Sequence, residues 1–189
     1  MSANAKPDQF RLGFLTAVEV PEQGYVGGLL VTNRHGRPLE FQCTAPVKPN
    51  RTQEILYGPT LTPFVLGELI GRALVEKAGV KPHLILTERE EILELRNHVP
   101  IPVACLDEAQ AQAAPPETPS PDAAVDAAKK VGEKLKLGKQ WVRLHAAHDT
   151  DRPTIEQDAH QVPHTADLRE PFERVREALR ETLKSGALR

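Results

Sequence analysis

The sequence predicts an α/β fold: a mixed sheet of three antiparallel strands followed by helix-strand-helix-strand, with a small C-terminal helical or α+β segment. Three observations predict it. Residues 12–45 read as three extended runs joined by short turns. Residues 62–106 alternate a long apolar-faced helix pattern with short aliphatic runs bounded by glycine and proline. A stretch rich in alanine and proline then interrupts the ordered pattern.

The first run, LGFLTAVEV, begins at Leu12 and closes at Pro21. The second, YVGGLLVT, follows Gln23-Gly24. Asn33-Arg34-His35-Gly36 suits a type I turn with a left-handed glycine, and leads into PLEFQCTA. Gly27 and Gly28 inside the second strand predict a bulge or a close backbone approach. Asn50 and Gln53 form a capping-box variant that starts a short helix ending at Gly58. Thr62-Pro63 opens the main helix, which stops at Gly79 and carries Leu66, Leu69, Ile70, Ala73 and Leu74 on a wide apolar face. Gly67 and Gly71 on it predict close packing against the sheet. His83–Leu86 is a strand. Thr87 and Glu90 form a capping box for the next helix, Pro100 ends it, and PVACL returns as a strand parallel to its predecessor.

Residues 1–9 read as a disordered N-terminus, 10–106 as the core domain, 107–120 as a linker and 121–189 as a separate segment. In that last segment, residues 122–138 read as an amphipathic helix, 139–146 as a strand and 148–166 as irregular polar chain. Asp167 caps a final helix whose stripe is Leu168, Phe172, Val175, Leu179 and Leu183.

Hydrophobic content of 40% and charged content of 26% are those of an ordinary globular chain. Lys/Arg and Asp/Glu are balanced in both halves, which disfavours nucleic acid as a partner. Cys43 and Cys105 stand apart in apolar runs and read as small buried hydrophobes of a reducing compartment. The N-terminus has no apolar signal region and no run reaches membrane-spanning length, so the expected location is the cytoplasm.

The order of elements over residues 10–106 resembles that of the ribonuclease-H-like fold. The resemblance implies acidic residues that hold two magnesium ions: one on the first strand, one on the first long helix and one after the fourth strand. Glu19, Glu68 and Glu88 occupy those places. Carboxylates are required because magnesium prefers hard oxygen ligands. Glu19 departs from the pattern, where an aspartate lies inside the strand. Glu68 also reads as a surface partner of Arg72, and Glu88 as a first-turn helix acid.

Three further clusters compete with this one. His145, His148, His160 and His164, with Asp149, Asp151 and Asp158 among them, have the ligand types for zinc in a spacing that matches no zinc motif. Lys48, Asn50 and Arg51 at the start of the short helix suit an anion. The lysines at 129, 130, 134, 136 and 139 beside Trp141 suggest a basic face. No nucleophile elbow, phosphate loop or dinucleotide fingerprint is present. The leading expectation is therefore a non-enzymatic interaction protein. It has no expected cofactor, magnesium or zinc entering only with the alternatives. Its partner is another protein or a second copy, bound through Leu168, Phe172, Val175 and Leu179.

Overall fold

The computed structural model of the chain describes residues 10–107 and 134–186. Residues that alternate between two apolar faces draw β1 (Arg11–Val20), β2 (Gly24–Asn33) and β3 (Pro38–Cys43) into an antiparallel meander. Its first ladder runs from Arg11 opposite Asn33 to Val20 opposite Gly24. The Asn33–Gly36 turn closes as its sequence predicts: the Gly36 N–H donates to Asn33 O at 3.0 Å. The irregularity in β2 lies between Val31 and Thr32, not at the paired glycines. Gly27 and Gly28 instead admit side chains from opposite faces. A Cβ on Gly27 would lie 2.1 Å from Ile70 Cγ2, and one on Gly28 2.8 Å from Val175 Cγ1.

Helix α1 (Arg51–Tyr57) carries the predicted capping box between Asn50 and Gln53. Helix α2 spans residues 61–77, and its middle, Phe64–Gly71, is π-helical. Gly67 does not face the sheet. Its added Cβ would lie 2.7 Å from Glu94 Cβ, on the 3₁₀ helix Glu90–Asn97. That segment was expected as an α-helix with a capping box. Thr87 Oγ1 accepts from the Arg89 N–H at 3.1 Å instead, and the tighter helix starts at Glu90. β4 (Leu84–Thr87) and β5 (Val103–Leu106) run parallel to β1 and to each other.

The C-terminal part continues the same sheet. β6 (Leu135–Leu137) and β7 (Gln140–Leu144) form a hairpin with β7 antiparallel to β5, giving the order β3-β2-β1-β4-β5-β7-β6. β6 replaces the expected end of an amphipathic helix. The rest of that helix, the expected linker over 108–120 and the expected disorder of residues 1–9 lie outside the described residues. Residues 148–166 are not irregular throughout: the 3₁₀ turn Ala146–Asp151 leads into α3 (Arg152–Ala159), whose one buried side chain is Ile155. A single apolar anchor leaves no periodic signal to read.

Helix α4 (Glu170–Lys184) lies on one face of the sheet against Phe14, Leu30 and Leu86. Helix α2 and the 3₁₀ helix cover the other, over Leu15, Leu29 and Ile85. Phe14 and Phe172 meet edge to face at 5.4 Å. Leu168, Phe172, Val175 and Leu179 are 0–2% exposed. The expected interaction stripe is thus part of the chain's own core, which overturns its use for another protein or a second copy. The mixed α/β class holds, with seven strands in one sheet among the described residues. Cys105 is buried and Cys43 half-buried, and neither is in a disulfide. Among the described residues no helix is long and apolar enough to cross a membrane.

Candidate functional site

β1, β4 and β5 point their carboxyl ends to one edge of the molecule, and the strand order turns at β1, with β2 on one side of it and β4 on the other. In open α/β sheets such a point is where ligands bind. Glu88 follows β4 directly. Its Oε1 accepts a hydrogen bond from Thr16 Oγ1 of β1 at 3.0 Å and another from Arg176 Nη1 of α4. Asp107 follows β5, buried, and pairs with Lys134. Arg169 Nη2 donates to the Asp107 backbone carbonyl at 2.9 Å. Arg89 turns to the opposite face, where Nη1 donates to Ala17 O at 3.3 Å and the guanidinium lies 5.9 Å from the Tyr25 ring. Three cations therefore meet the two acidic residues, Arg176 at Glu88 and Lys134 and Arg169 at Asp107.

The three acids of the magnesium expectation do not assemble. Glu88 lies on the α4 face. Glu19, exposed at the end of β1, alternates in phase with Leu15 and Ala17 on the α2 face. Glu68 sits on α2 itself, 3.8 Å from His98 Nε2. The strand separates the set because carboxylates at positions 19 and 88 project to opposite sides of one sheet.

The histidines divide into two pairs. The His145 and His148 rings lie 5.5 Å apart beside the 3₁₀ helix. His145 Nδ1 accepts from the Ala147 N–H at 3.1 Å, and His148 Nε2 lies 2.7 Å from Asn97 Oδ1. His160 and His164 line a different crevice, with Lys134, Lys136 and Arg152. An arginine and a lysine pair suit a metal ion poorly, and among the described residues no three ligands converge on a metal position. The anion expectation at α1 is also not supported. Asn50 Oδ1 accepts from Gln53 N at 2.9 Å, Lys48 Nζ donates to Glu22 O at 2.9 Å, and Arg51 pairs with Glu54 at 3.0 Å. Both cations and the Gln53 amide there are already engaged.

Sequence reading missed Thr16, Asp107, Arg169 and Arg176. Only the sheet brings them to Glu88. Position 107 directly after the aliphatic run PVACL was the one available signal.

No protein-family model matches the sequence, and neither does any curated protein sequence. Among solved structures, the chain is similar to endonuclease V from Ciona intestinalis in complex with a 23mer DNA that contains an inosine followed by a ribo-adenosine. Identity is 10% and the TM-score 0.46, over 90% of this chain and 86% of that one. It is also similar to human endonuclease V, at 13% identity and TM-score 0.42, over 93% and 86%. These neighbours are nucleases, one of them bound to DNA. They stand against the expectations of a non-enzymatic interaction protein, of no cofactor and of no nucleic-acid partner, and those expectations are set aside. At this level of overlap the likeness carries no reaction or substrate over to this chain.

Proposed function

We propose that this chain acts on nucleic acid at the carboxyl ends of β1, β4 and β5. The observation that carries the reading is the constellation Thr16–Glu88–Arg176 at the point where the sheet order reverses. Lys134 and Arg169 stand at the neighbouring strand end with Asp107, and Arg and Lys are the residues that meet a phosphate backbone. The run of elements over residues 10–106 is the one that the ribonuclease-H-like resemblance implied, which supports the same class of ligand.

A second reading, phosphodiester cleavage, is favoured by Glu88 and Asp107 on neighbouring strand ends, two carboxylates of the type magnesium takes. Arg176 faces Glu88, Lys134 faces Asp107, and Glu19 and Glu68 belong to the other face. As arranged, these residues do not fit a two-ion centre. The test uses labelled single-stranded and duplex DNA and RNA, with binding read by anisotropy and products by denaturing gel, with and without magnesium. Saturable binding that weakens steeply with salt supports the reading. No binding to any of them at low salt overturns it. Magnesium-dependent products that disappear in Glu88→Gln establish cleavage.

A further inference from the structure

Arginines on this molecule fall into two kinds. Arg96 is fully engaged: its Nε and Nη2 reach Asp151 at 2.5 and 3.0 Å, and Nη1 reaches Val99 O at 2.8 Å. Arg174 is likewise engaged, by Glu170 and by Gly36 O at 3.0 Å. Arg176 differs. It is held through Nη1 by Glu88 alone, and among the described residues its Nε and Nη2 make no hydrogen bond. Both side chains are 30% exposed, so the free edge of the guanidinium is open to an incoming group.

The support under it is rigid. Glu88 leaves the end of β4, between the β1 and β5 ladders. Its Oε1 is fixed from the far side by Thr16, which is buried in β1. The carboxylate is thereby anchored from behind, and it tethers the guanidinium through Nη1. The planar guanidinium presents its remaining donors in a fixed fork that matches two oxygens of a phosphate, and this geometry is what a lysine lacks.

We infer that Arg176 is the phosphate-contacting residue of the strand-end site and Glu88 its positioning residue, with the phosphodiester backbone of nucleic acid as ligand. The inference rests on the proposed function and deepens it. It assigns Glu88 a role that runs against plain electrostatics: a negative charge beside an anionic ligand that nonetheless strengthens binding.

The experiment measures anisotropy of a labelled 20-nucleotide DNA strand across a potassium chloride series. It compares the full chain with Arg176→Gln, Arg176→Lys, Glu88→Gln and Arg180→Gln, the last an exposed arginine one turn further along α4. Thermal melts check that each variant folds. Arg176→Gln is expected to weaken binding about tenfold, the size of a lost charge-assisted hydrogen bond, and to lower the salt slope by about one. Arg176→Lys keeps the slope and recovers only part of the affinity. Glu88→Gln weakens binding with the slope unchanged. Arg180→Gln changes affinity less than Arg176→Gln does. Equal effects of the two arginine-to-glutamine variants, or tighter binding by Glu88→Gln, overturn the inference while leaving nucleic-acid binding in place. Absence of binding by the unaltered chain overturns the proposed function, and the inference with it.

Discussion

Glu40 shows how much one half-buried carboxylate can be given to do. Its oxygens accept from the Gln42 amide at 2.8 Å and from the backbone N–H groups of Gly79 and Val80 at 3.0 and 2.5 Å. These bonds, that of Gln42 foremost, hold its carboxyl below the ordinary glutamate range. A carboxyl depressed in the folded state contributes stability that is present above its unfolded value, about 4.3, and is lost as pH falls through the folded value. Glu40→Gln should therefore flatten the acid limb of a denaturation-against-pH curve below about pH 4.3, and an unchanged limb would disprove the link. Arg96 and Asp151 form the better-shielded pair, with 18% and 12% of their side chains exposed. Asp151→Ala strands a guanidinium in that place, and urea denaturation should report a loss of about 3 kcal/mol. Neither role was legible in the sequence. Asp151 read as one acid in a polar stretch, and its partner lies 55 residues away. Glu88 was legible because strand ends can be read from the aliphatic run before them. Arg176 was not, since one arginine among several on α4 acquires its meaning only from the strand beneath it.

Elements were legible where local chemistry decides them. The β1–β2–β3 meander follows from its turn residues, and α1 from its capping box. The 3₁₀ helix at Glu90–Asn97 and the π-helical middle of α2 were not legible, because the two segments shape one another across Gly67. Helix α4 was recognised by its apolar stripe, but the stripe does not say what covers it. Its partner is the pair of strands bearing Phe14 and Gly28. Phe172 lies at the centre of that contact and is fully buried. Phe172→Ala should cost about 4 kcal/mol in chemical denaturation, from lost burial and the cavity left behind. A loss below about 1 kcal/mol, the level of an exposed site, would mean that α4 does not rest there in solution. Gly28→Ala tests the same contact from the strand side. Its methyl would press on Val175, and overpacking of this kind costs about 1–3 kcal/mol.

On the scale of the whole molecule, the division of the chain into a core and an appended segment dissolves. β7 pairs with β5, the Asp107 N–H donates to Trp141 O at 2.8 Å, and one apolar layer runs from Phe14 and Leu86 to Val142, Val162 and Phe172. The composition of residues 107–120 drew the boundary in the sequence, but composition does not reveal that the chain re-enters its own sheet at Leu135. The seven-stranded sheet makes a prediction that two tethered bodies do not. Trp141, the sole tryptophan, sits on β7 and reports on the C-terminal strands. Far-UV circular dichroism reports on all helices and strands together. If the sheet is the cooperative unit, both signals change at one denaturant midpoint and with one slope, as a single two-state domain requires. Phe172→Ala should then move both midpoints together, since α4 packs over strands from the N-terminal half while β7 shares their apolar layer. Separated midpoints in the unaltered chain, or a variant that shifts the dichroism transition and leaves the tryptophan signal in place, would show that β6 and β7 unfold apart from the rest. In that case the strand-end site, which draws Lys134 and Arg169 from the C-terminal part and Glu88 from the N-terminal part, would be held together only loosely.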